Sequence, residues 1–329
     1  MPSVQTVRGP VDTAALGTTL MHEHVFVLST EHVENYGAGA WWDEEERVAD
    51  AVAKLRQLVD RGVTTIADPT VWGLGRYIPR IQRIAEQVPE LNIIVATGIY
   101  TYNDVPFQFH YRGPGTLLGG PEPMIADFTR DLTEGIAGTG VRAGFLKCAV
   151  DHGGLLPGVE RVLRAVAATH RETGAPITVH TDSSVHAGRA VVEVLGKEGV
   201  DLTKVVIGHA GDSNDRDYLK ELADTGAILG MDRFGLDVIN STADRVSTIA
   251  ALCEEGYADR MVLSHDASCY MDWFGPDPDT LRGMAPNWNY RHISDDVLPA
   301  LRALGVTEAQ LDQMLVENPR RYFTGGNGG

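Results

Sequence analysis

Cysteine is scarce in this chain: 329 residues contain three, Cys148, Cys253 and Cys269. The number is odd, the spacings are wide and no Cys-x-x-Cys pair occurs, so neither a disulfide framework nor a thiolate zinc site is expected. Free thiols in a reducing cytosol fit this usage. Positive charge is also short, with 28 Lys+Arg against 45 Asp+Glu and a formal net charge of −17. No basic field exists to recruit nucleic-acid phosphates or an anionic membrane, whereas a neutral small substrate is indifferent to the imbalance. No apolar run reaches the ~18 residues of a membrane span, and residues 1–13 carry Arg8, Pro10 and Asp12 where a signal peptide needs an apolar stretch. A cytoplasmic chain with no nucleic-acid and no membrane partner is expected. Two catalytic signatures are missing as well. There is no Gly-x-Ser-x-Gly elbow, and the glycines at 113–120 lack the Lys-Ser/Thr of a phosphate loop, so serine-hydrolase and nucleotide-binding chemistry are not expected.

What is present is an alternation of short β-rich apolar runs with longer helical patterns. The runs fall at 18–27, 63–67, 92–98, 142–150, 176–180, 204–209, 227–231 and 260–265. Between the first two, 43–61 places Val48, Val52, Leu55 and Val59 on one helical face, and 158–174 does the same with Val159, Val162, Leu163 and Val166 before Gly174. Length alone admits two domains. Eight strand-helix units in about 250 residues, with no linker between them, instead predict one (β/α)₈ barrel domain over 1–329, active at the carboxyl ends of its strands. The rival, an open doubly wound sheet, would carry a Gly-rich turn after its first strand, where this chain has Met21-His22-Glu23-His24. After the barrel come a long segment, 267–292, two helical stretches, 294–304 and 307–318, and a frayed tail at 325–329.

The chemistry-bearing residues sit at predicted strand ends. His22 and His24, two apart on a strand, point to the same side, which suits either a metal site or a hydrogen-bonded histidine pair. His180, His209 and the His265-Asp266 pair end three later strands, and residues at those ends converge in space, so a metal centre becomes the leading reading. Lys147 lies in an otherwise apolar strand. A buried ammonium is costly and tends to lose its proton or find a partner, the alternative being a lysine that reaches out to solvent. A neutral amine can add carbon dioxide, and the resulting carbamate offers two oxygens that can bridge two cations. His265, adjacent to Asp266, faces the other way on a continuous strand and is left out of the ligand set.

The ordered set His-x-His, Lys, His, His, Asp on strands one, four, five, six and eight resembles the binuclear branch of the amidohydrolase superfamily. More closely, Leu20-Met21-His22-Glu23-His24, Asp68-Pro69-Thr70, Gly98-Ile99-Tyr100-Thr101-Tyr102, Ile207-Gly208-His209-Ala210-Gly211-Asp212, Met231-Asp232-Arg233-Phe234-Gly235 and Ser264-His265-Asp266 resemble the phosphotriesterase family. The likeness is strongest to its phosphotriesterase-like lactonases and runs from about residue 5 to Phe323. It implies two divalent cations, zinc foremost with cobalt, iron or manganese as alternatives. By this resemblance His22, His24 and Asp266 hold the more buried cation and His180 and His209 the more exposed one, with carbamylated Lys147 and a hydroxide bridging both. Asp266 would also take the proton in the reaction, Asp212 and Arg233 would relay and orient, and Tyr100 would approach the hydroxide, with Tyr102 mainly packing. A homodimer is implied too.

Two loops bear on substrate. The connection at 233–242 is short, whereas 267–292 is long and carries Met271, Trp273, Phe274, Trp288 and Tyr290, an aromatic cover suited to a small polar head with an aliphatic tail. Tyr100, Arg233, Met271 and Trp273 are the expected substrate contacts. A compact seventh loop with a long eighth resembles the lactonases, so hydrolysis of N-acyl-homoserine lactones and related lactones is expected, with promiscuous phosphotriester hydrolysis. A phosphotriester or carboxylic ester as main substrate is the alternative, and a non-catalytic ligand-binding barrel is the reading from another class. Residues 112–123 form an apparent insertion of underivable path.

Overall fold

In a computed structural model that describes residues 2–37, 42–275 and 278–325, eight parallel strands form one sheet whose spatial order follows the chain. They are β1 (Thr19–Leu20), β2 (Thr65–Asp68), β3 (Asn92–Gly98), β4 (Phe145–Val150), β5 (Ile177–Thr181), β6 (Val205–Gly208), β7 (Ile228–Met231) and β8 (Met261–Leu263). The ends of the sheet meet. Met21 N–H donates to the Leu263 carbonyl at 3.4 Å, His22 N–H to the Ser264 hydroxyl at 2.7 Å, and Asp266 N–H to the His22 carbonyl at 3.0 Å. This nearly closed barrel is the expected (β/α)₈ architecture, with helices between successive strands.

The helical faces fill as their spacing requires. In Glu44–Val59, capped by the Asp43 side chain on Glu46 N–H at 3.0 Å, Val48, Val52 and Leu55 are buried beside Leu58, while Val59 is only half-buried. In Pro157–Thr173 all four predicted residues are buried, and Gly174 ends the helix at φ 71°, a left-handed conformation that costs glycine no Cβ clash. Strand alternation sends Leu146 and Cys148 outward against these helices and Phe145 and Lys147 inward, where Phe145 packs with Ile94, Ala96, Val206, Ile228, Val262 and Phe323. Tyr322 plugs the same layer, its hydroxyl 2.9 Å from Thr178 Oγ1. That apolar plug fills the lower barrel and leaves the polar inward positions of the next layer to face the upper mouth.

Three expectations need correction. The first strand, expected over 18–27, breaks after Leu20. Its second part, His24–Val27, pairs in parallel with Ser268–Met271, a strand in the segment expected to be all loop. That segment also holds a helix, Pro278–Met284. The last helix runs past 318 to Phe323 because a π-turn over Gln313–Glu317, closed by Asn318 N–H on the Gln313 carbonyl, shifts the hydrogen-bond register just before Pro319 and so accommodates a residue with no N–H. Residues 112–123, whose path could not be derived, fold into turns tied by Gly113 N–H to Gly119 C=O and Leu118 N–H to Tyr111 C=O, with Arg161 reaching the carbonyl of Arg112. Of the expected tail, 326–329 lie outside the described residues. All three cysteines are free and buried, and no helix among the described residues is long and apolar enough to cross a membrane.

Candidate metal centre

Lys147 comes from within β4 and the other candidate side chains from strand ends or the turns beside them, three of them at a backbone cost. His209, Arg233 and Asp266 have φ of 64°, 66° and 54°, a left-handed conformation that non-glycine residues seldom adopt. Such strain amounts to about 1–3 kcal/mol per residue and persists where the surroundings over-determine it, which is common at functional sites. Here it turns the residues after β6, β7 and β8 back over the barrel mouth. His22 lies in the break after β1 and His24 opens the strand beyond it, so the argument from one continuous strand fails while its outcome holds: the two rings converge, centroids 5.4 Å apart.

The protein fixes which nitrogen of each imidazole is free. His22 donates through Nδ1 to Asp232 Oδ2 at 3.0 Å, and His209 donates through Nδ1 to Asp232 Oδ1 at 2.7 Å, so one buried carboxylate orients both rings. His24 donates through Nδ1 to Thr70 Oγ1 at 2.7 Å, and the threonine hydroxyl passes its own proton bond to Asp68 at 2.5 Å. His180 donates through Nε2 to Asp151 Oδ2 at 2.6 Å. The opposite nitrogens are thereby left bare and point inward. His22 Nε2 and His24 Nε2 stand 3.2 and 3.3 Å from Asp266 Oδ1. His180 Nδ1 and His209 Nε2 face each other at 2.8 Å, and His209 Nε2 is 3.9 Å from Asp266 Oδ2. Two bare lone pairs at 2.8 Å repel unless a cation lies between them. Lys147 Nζ sits 3.5 Å from His22 Nε2.

Electrostatics agree with a set of neutral donors around an anion. Burial pushes His180 down to about 4, and it lowers His22, with help from Lys147, and His209, with help from Arg233. Burial also lowers the Lys147 ammonium to about 8, against the pull of Asp266 and Asp232. Asp266 goes the other way: burial would raise it, but the positive charge around it, with the Arg233 guanidinium 3.1 Å away, holds it well below the usual carboxylate range. The donor set of imidazole nitrogens and a carboxylate fits divalent zinc, iron, cobalt or manganese, and His22, His24 and Asp266 alone place three ligand atoms within reach of one ion.

Arg233 ties the centre to its surroundings. Its Nε donates to Asp266 Oδ2 at 3.1 Å and its Nη1 to Asp212 Oδ2 at 2.9 Å, and buried Arg245 grips Asp212 from behind at 2.7 Å. Tyr100 reaches His180 Nδ1 at 3.2 Å and shares a hydrogen bond with the Tyr102 hydroxyl, which brings Tyr102 closer to the centre than packing alone would. Burial, then Tyr102, raises the Tyr100 phenol well above its ordinary value. Above them opens a cavity of about 270 Å³, whose foot is these polar residues and whose walls include Met271, Trp273, Phe274, Leu281 and Trp288. Tyr290, expected in that cover, lies instead beneath it, its hydroxyl donating to the His24 carbonyl at 2.5 Å. His265 faces away, as expected, its Nδ1 2.7 Å from the fully buried Glu23. Asp232, Asp68, Thr70, Asp151 and Arg245 had no role assigned from sequence. Asp68, Thr70 and Asp232 stand inside the Asp68-Pro69-Thr70 and Met231-Asp232-Arg233-Phe234-Gly235 motifs, and only the need of a ligating histidine for an acceptor on its far nitrogen singles them out.

A model of the phosphotriesterase family matches residues 2–323. Among solved structures the chain resembles the phosphotriesterase from Mycobacterium tuberculosis, with a TM-score of 0.95 at 58% identity, covering 99% of this chain and 100% of that one. It is 36% identical over 315 residues to an aryldialkylphosphatase of Saccharolobus solfataricus, covering 95% of this chain and 97% of the relative. It also resembles, with a TM-score of 0.87, 35% identity and coverage of 98% and 99%, a structure described as molecular engineering of organophosphate hydrolysis activity from a weak promiscuous lactonase template.

Proposed function

The chain belongs to the phosphotriesterase family of hydrolases, and from that premise we propose that it is a binuclear metal-dependent lactonase acting on N-acyl-homoserine lactones and related lactones, with slower phosphotriester hydrolysis. The observation that carries the reading is the convergence of four oriented imidazoles and Asp266 beneath an apolar cavity, with Lys147 Nζ 3.5 Å from His22 Nε2. His22, His24 and Asp266 would hold one cation and His180 and His209 the other, with the Lys147 amine, carbamylated by carbon dioxide, between them. When bound, two such cations lower the pKa of a water nucleophile and polarise the acyl oxygen of the substrate.

The chain's own groups do the rest. Asp266, kept ionised by its neighbours, accepts the proton released at attack, and Arg233 fixes its orientation through the 3.1 Å bond while Asp212 holds Arg233 in turn. Tyr100, protonated because it is buried, offers a hydroxyl donor at the edge of His180. Met271, Trp273 and Phe274 offer an apolar wall for an acyl chain and displace water from the mouth. The short connection between β7 and the helix Thr242–Glu254 closes that side of the cavity with Leu236, Val238 and Ile239, the last two largely exposed. Apolar walls of this kind favour a substrate with an aliphatic tail, and the likeness to a structure described as built on a weak promiscuous lactonase template supports the lactone reading. The relative named an aryldialkylphosphatase favours the second reading, a phosphotriester as main substrate. The specificity constants for a lactone series and a phosphotriester, measured on one metal-loaded preparation, decide between them. Higher values for long-chain lactones support the lactonase, and a phosphotriester preference overturns it.

A further inference from the structure

The four imidazoles are not supported alike. His22 and His209 lean on Asp232, which is 2% exposed, and His24 leans on Thr70 backed by Asp68, also 2% exposed. His180 leans on Asp151, the residue that follows β4, which is 25% exposed. Asp151 also lines a polar cleft of about 560 Å³ beside the catalytic cavity, with Asp182, Ser183 and Asp212 among its walls and Arg233 shared between the two. Nothing in the family motifs read from the sequence includes this carboxylate.

We propose that Asp151 is the positioning residue of the second cation: by accepting the Nε2 proton of His180 at 2.6 Å it fixes the ring's tautomer and turns bare Nδ1 towards His209 Nε2. The inference rests on the two-cation reading of the site and adds an asymmetry to it. Without an acceptor on its far side, a neutral imidazole distributes its proton over both nitrogens and rotates more freely, so fewer molecules present a lone pair to a cation. A carboxylate reached by solvent holds its ring less permanently than a buried one. The cation held by His180 and His209 is therefore the one that exchanges first.

The experiment is a zinc titration of metal-stripped protein against a competing chelator, for the native chain and for Asp151→Ala, Asp151→Asn and Asp182→Ala. Asp182 shares the cleft but bonds Ser184 and His152 rather than His180, and it serves as the control. Loss of an orienting partner of this kind typically weakens a metal by about 10- to 100-fold. In Asp151→Ala one of two binding steps weakens by that factor and the other is unchanged. Asp151→Asn, whose amide oxygen still accepts the Nε2 proton, recovers most of the loss, and Asp182→Ala binds like the native chain. Nitrogen-15 spectra of the imidazoles in the metal-free proteins give a second readout: His180 is the Nε2–H tautomer in the native chain and a mixture in Asp151→Ala. Two unchanged steps with an unchanged tautomer would overturn the proposal, and so would an equal weakening of both steps, which marks a general structural defect. If the native chain binds fewer than two zinc ions, the two-cation reading fails by itself, and the imidazole spectra still decide the role of Asp151.

Discussion

Lys147 shows how a single residue acquires a role from its place on a strand. Alternation puts it on the same inward face as Phe145, one layer higher, where no solvent is available to its ammonium and His22 Nε2 is 3.5 Å away. Burial that lowers the ammonium to about 8 raises the fraction of free amine at neutral pH, the form that adds carbon dioxide. Lys147→Ala should therefore lose most activity and one or both cations, and short-chain carboxylates added to the assay should restore part of the rate by supplying the missing anion. Metal analysis and turnover with and without acetate check this. Two cations and near-native turnover in the variant would reduce Lys147 to a packing residue. The lysine was legible in the sequence because a lone cation in an apolar strand is anomalous. Asp232 was not, because nothing local says that it faces two histidines, His22 and His209, which lie 210 and 23 residues away in the chain. The positive φ of Arg233 and Asp266 was equally invisible, since both are residue types that most often take ordinary backbone conformations.

At the scale of elements, all eight barrel strands could be read from apolar runs, while their ends and the break after Leu20 could not. Parallel pairing is non-local, so whether His24–Val27 continues β1 or pairs with Ser268–Met271 depends on a segment more than two hundred residues away. Strand spacing also constrains β3 and β4. A Cβ added at Gly98, where φ is 140°, would stand 1.8 Å from the Lys147 carbonyl oxygen. Gly98→Ala should cost about 3 kcal/mol or more through that overlap and the strained φ, and should weaken cation binding by displacing Lys147. Urea unfolding of native and variant protein tests this, and an unchanged midpoint would mean that the strands part without cost. The loop beyond β8 carries the selectivity prediction. Trp273 is 49% exposed at the cavity rim. If it meets the acyl chain, Trp273→Phe and Trp273→Ala should change the ratio of specificity constants between long- and short-chain lactones, since a methylene is worth roughly 1–3 kcal/mol in an apolar pocket. Lost stability alone would lower every substrate by one factor, so unchanged ratios in both variants would make Trp273 structural.

The whole molecule divides its labour along the barrel axis. The lower barrel is an apolar plug of Phe145, Ile228, Tyr322 and Phe323, and the upper mouth gathers buried polar groups whose lone pairs point at one another. On the two-cation reading that mouth would be costly without cations and stable with them, so metal binding and folding should be linked. The net charge of −17 has no part in this, because the expected substrate is neutral and the centre is buried. The most direct test is to strip the metal and add zinc back stepwise, following the thermal midpoint and the specificity constant for a long-chain N-acyl-homoserine lactone together. The account predicts a midpoint that rises with each of two equivalents per chain and hydrolysis that reaches its plateau only as the second binds. Full hydrolysis in the stripped protein or with a single equivalent, or no lactone hydrolysis with two bound, would contradict it.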